Sequence, residues 1–299
     1  MKPLLAFLIS SCLLSPAFAE IVGAEGFTYK TAGDSKQELF VFQPTDRKPG
    51  EKRPAILLFH GGGWRNGAPY AMAPQCRYFA GRGMVAIAVQ YRLIPQVTIE
   101  GCIRDAVSAV RWVRSNAERL GVDSNRIAVG GGSAGGHLAA AVGILEGVDE
   151  PGEDAKTSAR PDAMVLFNPA LVLAPVEGFH FELAGGSERW AELKKILGPS
   201  PETISPYHHL RPGLPPALIM HGTADTTVPF STSELFCAAM KKAGNRCDLV
   251  PYQGRSHAFF NLANSPEDFA STLEDCDKFF VSLGWLQPRP VGGSTDSQR

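Results

Sequence analysis

The chain has 299 residues, 44% of them hydrophobic and 20% charged, with a formal net charge of −1. That balance is ordinary for a globular protein. It supplies no basic run for nucleic acid and no electrostatic case for docking on an anionic membrane.

The first residues read as a signal peptide. Lys2 gives a positive start, Leu4 to Leu14 is a mostly apolar run too short to span a bilayer comfortably, and Pro16 breaks it. Ala17-Phe18-Ala19 then places small residues where a signal peptidase reads, so cleavage is expected between Ala19 and Glu20. An uncleaved anchor, or a lipoprotein using Cys12, is the alternative. The expectation is export, periplasmic or secreted, with residues 1–19 removed and no membrane association afterwards.

From there strands alternate with helices. "ELFVFQP" reads as a short early strand, and "PAILLFH" as a buried strand running into glycines. A helix is expected from Tyr70 to Arg82, stopped by Gly83, then the strand "MVAIAVQY". Ile99 to Leu120 reads as one long helix, with Ile103, Val107, Val110 and Val113 on a helical period and Gly121 as its stop. "RIAVGG", "AMVLFNP", "PALIMHG" and "CDLVPYQG" are further strands, with helices expected over 232–243 and 266–283. This alternation implies a mostly parallel sheet covered on both faces, with ligands bound beyond the carboxyl ends of the strands. Residues 171–210 break the rhythm and read as a small cap with a short helix near 188–196, inside one domain spanning 20–286. The tail from 287 to 299 has no apolar pattern and is expected to be disordered.

Five cysteines follow Cys12: Cys76, Cys102, Cys237, Cys247 and Cys276. An odd number leaves at least one unpaired unless two molecules are linked. Cys237 and Cys247 flank a helix-to-strand turn and are the best candidate disulfide, the other reading being two buried thiols. None has metal-ligand spacing, so no metal is expected.

Four segments carry chemistry, and each follows a strand. "GGGSAGG" places Ser133 in a Gly-x-Ser-x-Gly turn between strand and helix, a sharp bend that lifts the hydroxyl above the sheet. No Gly-Lys-Ser/Thr is present to favour a phosphate loop. "HGGGW" offers Gly62 and Gly63 as backbone donors to an oxyanion, with Ala134 N–H as the further donor. Trp64 beside them either walls the substrate pocket or simply packs. Asp225 in "HGTADTTVP" and His257 in "GRSHAFFN" are each weak signals alone, since such residues also cap turns or sit in solvent. Together they fall in the order serine, acid, histidine. Among the other histidines, His137 reads as packed, while His180, His208 and His209 lie in or beside the cap. Asp248 and Glu177 are reserve acids.

"HGGGW", "GGSAGG", "HGTADTTVP" and "GRSHAFFN" resemble the esterases related to hormone-sensitive lipase, and more closely a secreted bacterial branch that includes acetylxylan and feruloyl esterases. The likeness covers about residues 37–285. It implies an α/β-hydrolase fold with an eight-stranded, mostly parallel sheet, ester hydrolysis without cofactor, a triad of Ser133, Asp225 and His257, and an oxyanion hole of Gly62, Gly63 and Ala134. "YRLIPQ" departs from the Tyr-Arg-Leu-Ala-Pro-Glu string typical of that group, and the long N-terminal helical cap is missing. Both departures count against a lipid substrate and favour a small, open site, while export and the family likeness point to short-chain or carbohydrate-linked acyl esters. A serine peptidase of the same fold and a non-catalytic binding protein are the competing readings.

Overall fold

A computed structural model describes residues 21–154, 156–180 and 186–289. The expected signal peptide, and the expected tail beyond residue 289, lie outside the described residues. Among the described residues no helix is long and apolar enough to cross a membrane.

Eight strands form one sheet: β1 (Glu25–Ala32), β2 (Ser35–Phe42), β3 (Arg53–Phe59), β4 (Val85–Val89), β5 (Val122–Gly132), β6 (Ala163–Phe167), β7 (Ala217–Gly222) and β8 (Cys247–Tyr252). Their spatial order is β1-β2-β4-β3-β5-β6-β7-β8, and β2 alone runs against the rest. The helices are α1 (Ala73–Gly81), α2 (Ile99–Ser115), α3 (Ala117–Leu120), α4 (Ala134–Ile144), α5 (Gly186–Leu197), α6 (Phe230–Lys242) and α7 (Pro266–Ser282).

The central strands are apolar on both faces because both faces are covered. Along β3, Ala55, Leu57 and Phe59 pack with α2, α4 and α6, while Ile56 and Leu58 pack with α1 and α7. The period of two thus divides one strand between two cores.

Two elements differ from the sequence expectation. β1 is an additional edge strand, joined to β2 by a two-residue turn at Gly33-Asp34. The long helix is interrupted at Asn116, whose backbone leaves helical geometry (φ −104°, ψ 16°) and whose Nδ2 turns back to the Trp112 carbonyl at 2.8 Å. Asparagine competes for backbone groups in this way, so a helix divides there despite an unbroken apolar period. Gly121 then ends α3 with φ +68°.

The proposed Cys237–Cys247 disulfide is a correction. All five described cysteines are free and buried. The α6–β8 turn does bring the two residues side by side, but the Cys237 thiol keeps its hydrogen and donates it to the Cys247 carbonyl oxygen at 3.1 Å. Both behave as small core hydrophobes.

Candidate active site

Strand β5 is fifth of eight in the sheet and ends in three glycines. The chain then turns at Ser133 with φ 55° and ψ −118°, and α4 begins at the next residue. A non-glycine residue held there stores about 1–3 kcal/mol of strain. It is retained by bonds on both sides: Ser133 N–H donates to the Phe167 carbonyl at 3.0 Å, and His137 N–H donates to the Ser133 carbonyl at 2.9 Å. Gly135 allows α4 to sit this close to β3. A Cβ there would press into the carbonyl oxygens of Phe59 and His60, which are backbone and cannot rotate away. Gly135→Ala is therefore expected to destabilise the fold by at least about 2 kcal/mol. Urea unfolding checks this, and an alanine variant as stable as the wild type would refute it.

The three separated polar residues meet at the serine. His257 Nε2 lies 2.9 Å from Ser133 Oγ, and His257 Nδ1 lies 2.7 Å from Asp225 Oδ2. With the carboxylate on Nδ1, the proton resides there and Nε2 is free to accept from the hydroxyl. Asp225 is buried and receives four donors. Oδ1 takes the N–H groups of Thr227 and Val228, each at 2.9 Å, and Oδ2 takes His257 and His221 Nε2 at 3.2 Å. Burial alone would raise this carboxyl, but the hydrogen bonds from His221 and His257 outweigh it and hold its pKa well below the usual carboxylate range. His221 is itself oriented from both ends, since its Nε2 is 2.9 Å from the Val228 carbonyl and its Nδ1 is 2.7 Å from Ser233 Oγ.

Gly62, Gly63 and Trp64 form three consecutive residues of positive φ (120°, 61° and 59°). A Cβ at Gly62 would collide with the backbone of Asn66. Among the described residues, the Gly62 and Gly63 N–H groups donate to no protein acceptor, and Ala134 opens α4, where N–H groups have no intrahelical partner. All three residues line the cavity over Ser133. The loop is fastened at both ends by the segment after β4. Tyr91 OH donates to the His60 carbonyl at 2.8 Å, and Ile94 N–H donates to the Trp64 carbonyl at 2.8 Å. That segment is pinned in turn by Arg92, which forks onto Asp105 at 2.6 and 2.8 Å, with Lys30 at 2.7 Å from the same carboxylate. "YRLIPQ" thus braces the Gly62–Trp64 turn.

Trp64 lines the cavity and is buried, and its Nε1–H donates to His137 Nδ1 at 3.2 Å. His137 Nε2 donates to the Ile204 carbonyl at 2.7 Å, so this imidazole is neutral with its hydrogen on Nε2. Burial lowers both His60 and His137 to about 4, against weaker support from the Gly61 and Ile204 carbonyls. The folded pKa lies below the unfolded one, so each histidine's contribution to stability is complete above pH 6.5 and is lost as pH falls towards 4. The expected loss is about 3 kcal/mol per histidine across that window. Chemical denaturation from pH 7 to pH 4 measures it, and His137→Gln should flatten the slope by about one proton. An unchanged slope in that variant would remove the assignment.

The cavity over Ser133 has a volume of about 600 Å³. Gly62, Trp64 and Met72 line it together with Leu171 and Leu173 and, from α5, Leu193 and Ile196. Within the 171–210 segment, residues 171–173 and 192–197 thus supply part of the wall of the site. His208 and His209 are bonded within that segment, and neither lines the cavity. Asp248 pairs with Arg246. No group of three or more metal-ligating side chains occurs among the described residues. Two further residues, His221 and Asn168, touch this arrangement without a strong mark in the sequence. His221 lies inside a strand, where nothing local marks it. Asn168 carries a local signal: a polar residue directly after an apolar strand, β6, which pairs with β5.

The BD-FAE family model matches residues 41–240 of the chain. The chain belongs to the BD-FAE family. The dienelactone hydrolase family model also matches residues 202–284. Among solved structures, the apo form of Thermogutta terrifontis esterase 2 is 46% identical, with a TM-score of 0.83, covering 90% of this chain and 98% of that one. Its propionate-bound form is 47% identical, with a TM-score of 0.83, covering 91% and 98%. A probable isoprenylcysteine alpha-carbonyl methylesterase of Oryza sativa subsp. japonica is 30% identical over 85% of this chain and 64% of its own length. Esterase LipQ of Mycobacterium tuberculosis is 28% identical over 77% and 56%. The chain therefore spans less than two thirds of these two curated relatives. These likenesses place this BD-FAE member among α/β-hydrolase esterases.

Proposed function

We propose that the protein is an exported serine carboxylic ester hydrolase that cleaves short-chain or carbohydrate-linked acyl esters through an acyl-enzyme. The observation that carries this reading is the line from Ser133 Oγ to His257 Nε2 at 2.9 Å and from Nδ1 to Asp225 at 2.7 Å, beside the Gly62–Gly63 turn. In this mechanism His257 Nε2 takes the hydroxyl proton as Oγ attacks the ester carbonyl. Asp225 stabilises the resulting imidazolium and stays ionised. The N–H groups of Gly62, Gly63 and Ala134 receive the oxyanion, each such donor contributing about 3 kcal/mol in the transition state. His257 returns the proton to the leaving alcohol. Water then repeats the sequence on the acyl-enzyme.

A cavity of about 600 Å³ lined in part by leucine and isoleucine from α5 fits a short acyl group. Structures of Thermogutta terrifontis esterase 2 with propionate and with butyrate bound support the same choice. The resemblance to secreted bacterial esterases supports a carbohydrate alcohol and export.

The test is hydrolysis of p-nitrophenyl esters from acetate to decanoate, followed by acetylated xylan and feruloyl sugars. Preference for the short chains is the expected result. A folded protein that cleaves none of them would remove the esterase reading and direct attention to peptide substrates. N-terminal sequencing of protein recovered from the exported fraction should begin at Glu20.

A further inference from the structure

Asn168 is the first residue beyond β6, and it is unusual in two independent respects. Its φ is +35°, on the strained side of the backbone map. Its side chain is fully buried, yet Nδ2 has no hydrogen-bond partner. The other end of the amide is engaged: Oδ1 accepts the Ala258 N–H at 3.1 Å. Only an oxygen can take that proton, so the NH2 end is the one left over. A buried donor without an acceptor and a strained backbone are both destabilising, and such costs concentrate where function retains them.

The contacts of Asn168 identify what is retained. Its backbone N–H donates to the Met220 carbonyl at 2.8 Å, and the preceding carbonyl, of Phe167, accepts from Ser133 N–H at 3.0 Å. Ala258, which the side chain holds, directly follows His257 and is itself at φ +63°. One residue therefore links the turn that carries the nucleophile to the loop that carries the base. It also lies in the wall of the same cavity.

We propose that Asn168 is a positioning residue for the hydrolytic reaction, one that fixes the backbone after His257 against the backbone at Ser133 so that Nε2 stays within reach of Oγ. The proposal rests on the serine-hydrolase reading above. It also explains the residue type. Aspartate would supply the acceptor but would add a buried negative charge beside the Asp225–His257 pair. An apolar side chain would leave the Ala258 N–H unpaired. Glycine would relax the backbone but offer no acceptor. Asparagine is short, neutral, able to accept, and tolerant of positive φ.

The decisive variant is Asn168→Gly, which removes the side-chain bond while relieving the backbone. Its melting temperature should stay close to that of the wild type. Its kcat should fall about 10- to 100-fold with KM within about threefold. Two substrate-independent readouts should move with it. Labelling of Ser133 by a fluorophosphonate should slow by a similar factor, and the low-field proton NMR signal of the His257–Asp225 hydrogen bond should broaden or vanish. Unchanged kcat overturns the proposal. So does a fall in kcat with labelling and the low-field proton unaltered, because the loss then arises away from the histidine. If the glycine variant does not fold, Asn168→Ser read by the same three measurements decides the matter. A wild type inert on every ester would sink the esterase reading, while the labelling and NMR comparison would still decide the role of Asn168.

Discussion

Ser133→Ala should reduce kcat on p-nitrophenyl acetate by about six powers of ten, equivalent to about 8 kcal/mol of lost transition-state stabilisation. The reason is chemical rather than architectural. Alanine keeps the Cβ, and the backbone bonds from Ser133 N–H to Phe167 and from His137 N–H to the Ser133 carbonyl do not involve the hydroxyl. Among the described residues, the only side-chain partner lost is His257 Nε2. The variant should therefore fold with a melting temperature near that of the wild type and should take no label from a fluorophosphonate. The oxyanion donors remain, so a residual rate of about 10³–10⁴ over water is expected. Retention of more than a hundredth of wild-type activity would mean that another group attacks the ester.

Asp225→Asn is expected to lower kcat by about 10⁴, and here the hydrogen-bond inventory gives the reason. Four donors converge on the carboxylate: Thr227 N–H and Val228 N–H on one oxygen, His257 and His221 on the other. An asparagine has one accepting end and one donating end, so it must turn its NH2 towards one pair. Facing the turn, it abandons two backbone N–H groups. Facing the histidines, it favours the His257 tautomer with the proton on Nε2, which cannot accept from Ser133. His221 cannot adapt, because the Val228 carbonyl at 2.9 Å requires the hydrogen on its Nε2. A loss in kcat with the fold intact is the expected outcome, measured by steady-state kinetics together with thermal unfolding. If Asp225→Asn keeps a tenth of the wild-type rate, the carboxylate is not the partner that orients the base.

The legibility of this chain follows from where its information sits. The central strands could be recognised because a strand buried on both faces must be apolar throughout, as in "AILLF" and "VAIAV". Ser133, Asp225 and His257 could be paired because each sits in a short local motif after a strand, and the fold then brings strand ends together. β1 is illegible in the sequence because "EGFTYKTA" is an edge strand with exposed and half-buried positions and no apolar run. The break at Asn116 is illegible too, because periodicity reports which face is buried, not whether the backbone continues. Asn168 is marked locally only as a polar residue after an apolar strand, and its partner Ala258 is distant in sequence, whereas the partners of His221 (Asp225, Val228 and Ser233) lie close in the chain but converge on it only once the turn after β7 has folded. The free Cys237 and Cys247 show the limit from the other side: adjacency was read correctly, but adjacency does not decide bonding.

Between β6 and β7, residues 171–207 are tied both to one another and to the rest of the fold. Leu173 N–H reaches Ser205 Oγ at 3.0 Å, Tyr207 N–H reaches the Leu171 carbonyl at 3.1 Å, and His137 Nε2 reaches the Ile204 carbonyl at 2.7 Å. The first two lie within the segment and can be exchanged along with it. The third belongs to α4 and stays behind. Any exchange of residues 171–207 therefore inherits a requirement set from outside it: the successor must present an oxygen to His137 at the same point, or Trp64 loses its anchor.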